Sequence, residues 1–359
     1  MKVLHIESGK HLYGGAKQVT YLIKGLDKKG VDNILVCPKD SEIAKKCFNS
    51  CNVIDIPMKG DIDFHMVWRL KKIIMQYKPN IIHIHSRRGA DTMGAIAAKI
   101  THTPAIISRR VDNKEPRWLA HIKYNLFEHI ITISCGIRDV LLKEGVPPNR
   151  ITCIHSAIDI TEYEQKCDKS SFLKEFNISD NAITIGVIAQ LIKRKGHELL
   201  LNILPSLIDK YPNISVLFFG QGPLKEKLLK SITEKKLDKV VKLTGFIDNL
   251  HKWIGCLDIV VHPALYEGLG ISLLQASAAS VPIVASPFGG IPEVVHDGIN
   301  GFLVDPNDSI NFQNRIERLI QDKTLRQKMG QNGNILVKKH FSIETMVEGN
   351  LKIYKEILS

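Results

Sequence analysis

The sequence predicts an α/β protein built from two doubly wound parallel-sheet domains. Three observations carry that prediction. The chain has 359 residues, more than one ordinary hydrophobic core serves. Short apolar segments alternate with amphipathic ones through both halves, the pattern of parallel strands and covering helices. The stretch from His262 to Gly301 reads strand, glycine loop, helix, strand, glycine loop, which puts ligand-tolerant backbone at strand carboxyl ends, where open α/β sheets bind.

Composition narrows the class. Hydrophobic residues make up 44% and charged residues 24%, the balance of a globular domain. No apolar run reaches the ~20 residues of a membrane span. Met1-Lys2-Val3-Leu4-His5-Ile6 opens directly into a strand pattern without a signal-peptide core, so a cytoplasmic protein is expected. The seven cysteines are scattered with no C-x-x-C pair, which favours reduced thiols over a zinc site or a disulfide framework. The net charge is +12, with 25 Lys and Arg against 17 Asp and Glu in residues 1–165. The N-terminal half is therefore the expected face for an anionic partner, and an anionic membrane surface or a phosphorylated glycan fits. Nucleic acid is disfavoured, because aromatics are 6% and no nucleic-acid motif appears.

In the first half, strands are expected at Lys2 to Glu7, Asn33 to Cys37, Val53 to Ile56, Ile81 to His85, Ala105 to Ser108, His129 to Thr132 and Ile151 to Ile154. The clearest helices are Ala16 to Lys28, Met66 to Tyr77 and Gly136 to Lys143, the last capped by Ser134. Gly14-Gly15 precedes the first helix and would expose backbone N–H groups to a phosphate; an ordinary tight turn explains it as well. Strand alternation puts His83 and His85 on one face, with His85 at the carboxyl end. His83 reads as a packed core histidine. Arg87 and Arg88 follow one strand, Arg109 and Arg110 the next, so the four could converge on one rim. Arginine suits bidentate carboxylate or phosphate recognition, and ordinary surface salt bridges are the equal alternative.

Residues 160–180 are polar and charged, the expected hinge, which sets domains at 1–165 and 166–340 with a C-terminal helix over 341–359. The second domain opens with a strand at Ile183 to Ile188. Gln190-Leu191-Ile192-Lys193-Arg194-Lys195-Gly196 follows, then a helix from His197 to Tyr211. Cations and N–H groups between strand end and helix start form a diphosphate clamp. Next come strands Val216 to Phe219 and Val240 to Leu243, then Leu257 to Val261 leading into the glycine loops. Gly268 and Gly270 let a ligand approach backbone, and a helix should start near Leu269. Glu267 and Gln275 lie eight positions apart, one at the helix mouth and one about two turns in. Ionised Glu267 only accepts hydrogen bonds and suits sugar hydroxyls; Gln275 both accepts and donates. Helices at Ser309 to Gln321, Leu325 to Lys339 and Ile343 to Leu358 close the chain.

The block from Glu267 to Gly301 resembles the retaining glycosyltransferases of family 4, which have the GT-B fold. Their signature, E-x7-E, P-x-V-x-(T/S) and G-G-x-x-E-x-V-x-x-G-x-N-G, reads here as Glu267 to Gln275, Pro282 to Ser286 and Gly289 to Gly301. The resemblance extends over nearly the whole chain. It implies two Rossmann-like domains facing across a cleft, with the last helix packing back on the first domain. It implies transfer of a sugar from a nucleotide-diphosphate donor, a UDP-sugar favoured, to a glycan or lipid-linked acceptor, with retained configuration. It also implies no metal or other cofactor. By position, His85 matches the histidine near the donor sugar, Gly15 the G-G loop facing donor and acceptor, and Lys195 the lysine of G-R-L-x-x-x-K-G. The arginine of that motif is Gln190 here, and Arg194 supplies a neighbouring charge. Gly222 belongs to the G-x-G loop, Phe246 to the base-binding edge, Glu267 with Gly268, Leu269 and Gly270 to the donor-sugar loop, and Gln275 to the ribose site, where the family has glutamate. The words H-S-R-R-G-A-D and S-R-R-V-D-N look like an envelope-glycan branch, lipopolysaccharide synthesis included, working at the inner face of the cytoplasmic membrane. A nucleotide-sugar epimerase on the same fold and a non-catalytic GT-B-shaped binding protein are the alternatives; a dehydrogenase would need a G-x-G-x-x-G after a first strand.

Overall fold

The computed structural model describes residues 1–61, 63–87 and 89–359. It resolves into two compact units: residues 1–157 with 343–359, and residues 158–342. The sequence reading set these boundaries at 165 and 340.

The first unit runs β1 (Lys2–Ile6), α1 (Gly14–Lys28), β2 (Asp32–Pro38), α2 (Glu42–Cys47), β3 (Asn52–Ile56), α3 (His65–Tyr77), β4 (Ile81–Ile84), α4 (Ala90–Ile100), β5 (Ala105–Arg109), α5 (Arg117–Tyr124), β6 (His129–Thr132), α6 (Cys135–Lys143) and β7 (Ile151–Cys153). Its seven-stranded sheet has the order β3-β2-β1-β4-β5-β6-β7, with parallel pairings throughout. Strand order reverses between β1 and β4. Strands such as Ile81–Ile84 are buried along their length because helices cover both faces, which is why they read as apolar runs rather than alternating ones. Helix α1 buries Ala16, Val19, Leu22, Ile23 and Leu26, one stripe at helical spacing. Ser134 caps α6, its Oγ accepting from the Ile137 N–H at 3.1 Å.

The second unit runs α7 (Lys169–Glu175), β8 (Ile183–Ile188), α8 (His197–Lys210), β9 (Ile214–Phe219), α9 (Lys225–Glu234), β10 (Val241–Gly245), α10 (His251–Ile254), β11 (Ile259–His262), α11 (Ile271–Ala278), β12 (Ile283–Ala285), α12 (Ile291–Val294), β13 (Gly301–Leu303), α13 (Ser309–Gln321) and α14 (Lys323–His340). The sheet order is β10-β9-β8-β11-β12-β13, all parallel, reversing between β8 and β11. Helix α15 (Ile343–Leu358) returns to the first unit. It packs Met346, Val347, Ile353 and Tyr354 into one cluster with Val3, Leu22 and Leu26. A Cβ on Gly25 would fall 2.3 Å from Val347, so the absence of a side chain there lets α15 lie on α1. Each large side chain so buried contributes roughly 1.5–3 kcal/mol.

Two expectations are corrected. Cys167 and Cys256 form a disulfide across 89 residues of sequence, their Cα atoms 5.2 Å apart, so the seven thiols are not all reduced. The segment entering α7 meets the turn before β11, where Lys169 Nζ also donates to the Cys256 carbonyl at 2.8 Å. Sequence spacing cannot reveal a pairing that only tertiary approach creates. Helix α11 begins at Ile271 rather than near Leu269, because Gly270 takes a left-handed φ of 92° that no right-handed helix continues.

Candidate active site

The sheet of each unit has one point where strand order reverses, and several of the sequence-predicted residues gather at each. In the second unit, Lys193–Lys195 form a 3-10 turn after β8, beside the loop that follows β11. Lys195 is buried, and its Nζ forms an ion pair with Glu267 Oε2. His262, at the end of β11 and buried, places Nε2 3.0 Å from the same oxygen. Glu267 Oε1 accepts from the Gly268 N–H at 3.2 Å. Burial alone would raise the Glu267 carboxyl; the His262 hydrogen bond and the Lys195 charge outweigh it and hold the pKa at about 2. His262 is pulled down by burial against the pull of Glu267. The second glycine loop fixes this geometry. Gly289 sits at φ 62°, and a Cβ there would lie 1.9 Å from the Glu267 carbonyl oxygen. That same carbonyl accepts from the Gly290 N–H at 3.1 Å.

The other predicted residues of this unit divide between backbone and side-chain roles. Leu269 is buried, so only its backbone faces the loop. Gly222 packs against Leu191, leaving no room for a Cβ, which would fall 2.5 Å from the Leu191 carbonyl oxygen. Gln190 and Arg194 are exposed, and the Arg194 carbonyl accepts from the Leu265 N–H at 2.8 Å. Gln275, on α11, donates from Nε2 to the Tyr163 hydroxyl at 2.8 Å. Phe246 stands beside Lys242, Thr244, Phe176 and Trp253 on a separate cavity of about 700 Å³.

In the first unit, β1 and β4 meet at the reversal and lead directly into Glu7 and His85. These line a cavity of about 370 Å³ with Gly15, Arg87, Arg109 and Arg110. Helix α1 starts at Gly14 with no side-chain cap, so its first-turn N–H groups point outward. Arg87 and Arg109 do converge, but on internal partners. Arg87 Nη1 donates to Asn113 Oδ1 at 2.8 Å. Arg109 Nη1 donates to Glu115 Oε1 at 3.1 Å, and Nη2 to the Asn113 carbonyl. Arg110 differs: its Nε has no partner among the described residues. Burial lowers Arg110 to about 10 against the opposing charge of Glu7. Arg88 lies outside the described residues.

Sequence reasoning missed several neighbours. His5 Nδ1 lies 2.9 Å from His85 Nε2, and His5 Nε2 lies 3.1 Å from Asn33 Oδ1. His83 is held between the Tyr354 hydroxyl at 2.6 Å and Ser108 Oγ at 2.8 Å. All three imidazoles are buried, and burial first, then neighbouring positive groups for His83 and His85, keeps them neutral. The available signal was a polar ring at strand positions that pattern as core. In the second unit, His262 and His197 were missed for the same reason.

Two family models match the chain. "Glycosyltransferase Family 4" covers residues 13–162 and "Glycosyl transferases group 1" covers residues 168–335. An uncharacterized glycosyltransferase of Methanocaldococcus jannaschii is 25% identical over 63% of this chain and 59% of its own length, so the match spans well under two thirds of that relative. The UDP-Gal:alpha-D-GlcNAc-diphosphoundecaprenol alpha-1,3-galactosyltransferase of Escherichia coli is 22% identical over 100% of this chain and 97% of its own. Anabaena HepE, solved in complex with UDP, superposes with a TM-score of 0.88 at 19% identity, covering 99% of this chain and 100% of that one. That likeness shows the fold, GT-B.

Proposed function

Because the chain belongs to glycosyltransferase family 4, we propose that it moves a sugar from a nucleotide-diphosphate donor, a UDP-sugar, to a glycan or lipid-linked acceptor in envelope polysaccharide or lipopolysaccharide synthesis. In this reading configuration is retained and no metal or other cofactor takes part. The observation that carries the reading is the Lys195–Glu267–His262 cluster at the strand reversal of the second unit. A buried cation held by a carboxylate is a preorganised charge that an incoming diphosphate can take over. Lys195 stabilises the negative charge that develops on the leaving phosphate, the electrostatic contribution that lowers barriers most. Arg194 adds a second cation, and the N–H groups of the 268–270 loop add donors. Glu267, released from Lys195, accepts from donor-sugar hydroxyls. Gln275 takes the ribose, with Gln190, Gly222 and Phe246 completing the nucleotide side. The acceptor oxygen attacks the anomeric carbon on the face the diphosphate leaves. The carbon–phosphate oxygen bond breaks with its electron pair going to the diphosphate, which receives the acceptor proton.

Of two roles open to His85, orienting hydroxyls or handling the acceptor proton, the first is the one adopted in this reading. Burial and the neighbouring His83, His5 and Arg110 hold it well below the ordinary histidine range, so protonating it near pH 7 is unfavourable. Of Arg87, Arg109 and Arg110, Arg110 is the one left to a phosphorylated or acidic acceptor, because Arg87 and Arg109 are engaged by Glu115 and Asn113. The Escherichia coli relative, named for a UDP-sugar donor and a diphosphoundecaprenol acceptor, supports both donor and acceptor class.

Contact with an anionic membrane completes the proposal. Among the described residues no helix is long and apolar enough to cross a membrane. Helix α5 exposes Trp118, Leu119 and Ile122 beside Arg117 and His121, a face suited to an interface. Co-sedimentation with anionic vesicles that Trp118→Ser weakens supports this contact; equal binding to zwitterionic vesicles argues against it. The decisive experiment for the activity is transfer from a panel of UDP-sugars in EDTA, with the product anomer read by proton NMR. A retained anomer supports the reading. An inverted product, loss of activity in EDTA, or neither transfer nor thermal stabilisation by any UDP-sugar overturns it.

A further inference from the structure

The tautomer of His85 follows from a chain of buried hydrogen bonds that starts 52 positions away in sequence. Asn33 Nδ2 donates to the Val31 carbonyl at 2.8 Å. That fixes the side-chain amide, so its Oδ1 is the atom facing His5. An amide oxygen only accepts; His5 Nε2 therefore carries the hydrogen. His5 is fully buried and pulled down to about 4 by that burial, against the opposing Asn33 bond, so it holds one proton and its Nδ1 is a lone pair. His85 Nε2, 2.9 Å from that lone pair, must then be the donor. His85 is neutral as well, which leaves Nδ1 as its only acceptor. Nδ1 is buried and has no partner among the described residues, and the ring forms part of the wall of the 370 Å³ cavity.

We propose that Asn33 and His5 are positioning residues that lock His85 in the Nε2–H tautomer, so that its Nδ1 accepts a hydrogen bond from a hydroxyl of the sugar bound in that cavity. The chain ends in an amide, which cannot take up a proton, so it fixes a hydrogen-bond role and does not relay protons. An unpaired acceptor at a buried position costs free energy until a ligand hydroxyl fills it. The arrangement selects ligands that donate there and disfavours those lacking the hydroxyl, whose binding leaves the nitrogen unsatisfied. The inference rests on the glycosyltransferase reading for its sugar, but the tautomer itself does not.

The test separates the two. Imidazole nitrogen NMR on the full chain, with His85 assigned by its loss in His85→Gln, reads the tautomer without substrate. The expected spectrum shows His85 protonated at Nε2 and bare at Nδ1. In His5→Leu and in Asn33→Leu the His85 signals should move toward a tautomer mixture. In His5→Asn, whose amide oxygen replaces the Nδ1 acceptor, they should stay. In transfer assays His5→Leu should lose about tenfold or more in kcat/KM, the scale of one buried hydrogen bond, with His5→Asn recovering most of it. A wild-type His85 protonated at Nδ1, or an Nε2–H tautomer that survives both leucine substitutions, overturns the proposal. So does unchanged kcat/KM in His5→Leu beside an active wild type. A wild type that transfers no sugar overturns the functional reading alone, while the spectrum still decides the tautomer.

Discussion

The two strand reversals are built alike but differ in the groups at their centre. In the second unit, the loops after β8 and β11 bring a buried lysine, a carboxylate and a histidine onto one another. In the first unit, the ends of β1 and β4 bring together three neutral imidazoles linked to an amide and a tyrosine. The same topology therefore supports two chemistries. One is an ion pair ready to exchange partners with a phosphate; the other sets a fixed pattern of neutral donors and acceptors, suited to hydroxyls, beside the Glu7 and Arg110 charges. Parallel strands deliver their carboxyl-end residues to one place, and the residue types decide what that place can hold.

The largest expected effect is on the charged side. Lys195→Ala should lower kcat by about 10²–10³-fold, as removal of one preorganised electrostatic group does, measured as initial rates of transfer. An activity loss under tenfold would break the contrast, since Lys195 would then be only a partner for Glu267.

Acid should separate the two units. Glu267 has its folded pKa lowered from 4.5 to about 2. Its contribution, roughly 3 kcal/mol, is present above pH 4.5 and is lost as pH falls toward 2. The buried histidines behave differently. His5 is lowered from 6.5 to about 4, so the unfolded chain takes up a proton in that range and the folded one does not. The first unit should thus lose stability from pH 6.5 down to about 4, by up to about 1.4 kcal/mol per pH unit for each such histidine. His197 in the second unit, also lowered from 6.5 to about 4 by burial, shares that window, so hydrogen exchange followed against pH should show an opening step between pH 6.5 and 4 in both units and the further Glu267 step, from pH 4.5 toward 2, in the second unit alone. In Glu267→Gln, the second unit's window between pH 4.5 and 2 should disappear.

The disulfide adds a further difference, because only the second unit has one among the described residues. Cys256→Ser or reduction should lower its stability by about 2–4 kcal/mol, read by chemical denaturation. It should leave exchange in the first unit unchanged.

The smallest effect is predicted at Gln275. Gln275→Glu restores the carboxylate of the resembled family, and a charge-assisted bond to a ribose hydroxyl should lower the KM for the UDP-sugar several-fold, with kcat little changed. Since Gln275 holds the Tyr163 hydroxyl, a rise in KM would mean that this contact, not the ribose, sets the residue.

Much of this architecture was legible in the chain. The strands at Lys2–Ile6, Ile183–Ile188 and Ile259–His262 read as apolar runs because both faces of a parallel sheet are covered. The α1 stripe and the Ser134 cap follow from period and side-chain chemistry alone. Lys195 and Glu267 were legible because each sits in a glycine-bearing loop between strand and helix. Helix α4 was expected only as one of the helices between strands and not by its bounds, since Ala90–Ile100 is rich in alanine and other apolar residues and shows no clear helical stripe. His5 and Asn33 were hidden for a related reason: on a buried strand, period and burial look the same for a packed ring and a working one.

By itself the sequence determined the elements, their parallel pairing and the loops rich in glycine and charge. These depend on local properties, on periodicity, turn chemistry and hydrophobic runs, that act over a few residues. The tertiary structure alone decided which distant groups meet. It joined Cys167 to Cys256, turned Arg87 and Arg109 onto Glu115, left Arg110 Nε without a partner among the described residues, and threaded Asn33 through His5 to His85. Those encounters are set by strand order and register across the sheet, and no short-range pattern in the chain encodes them.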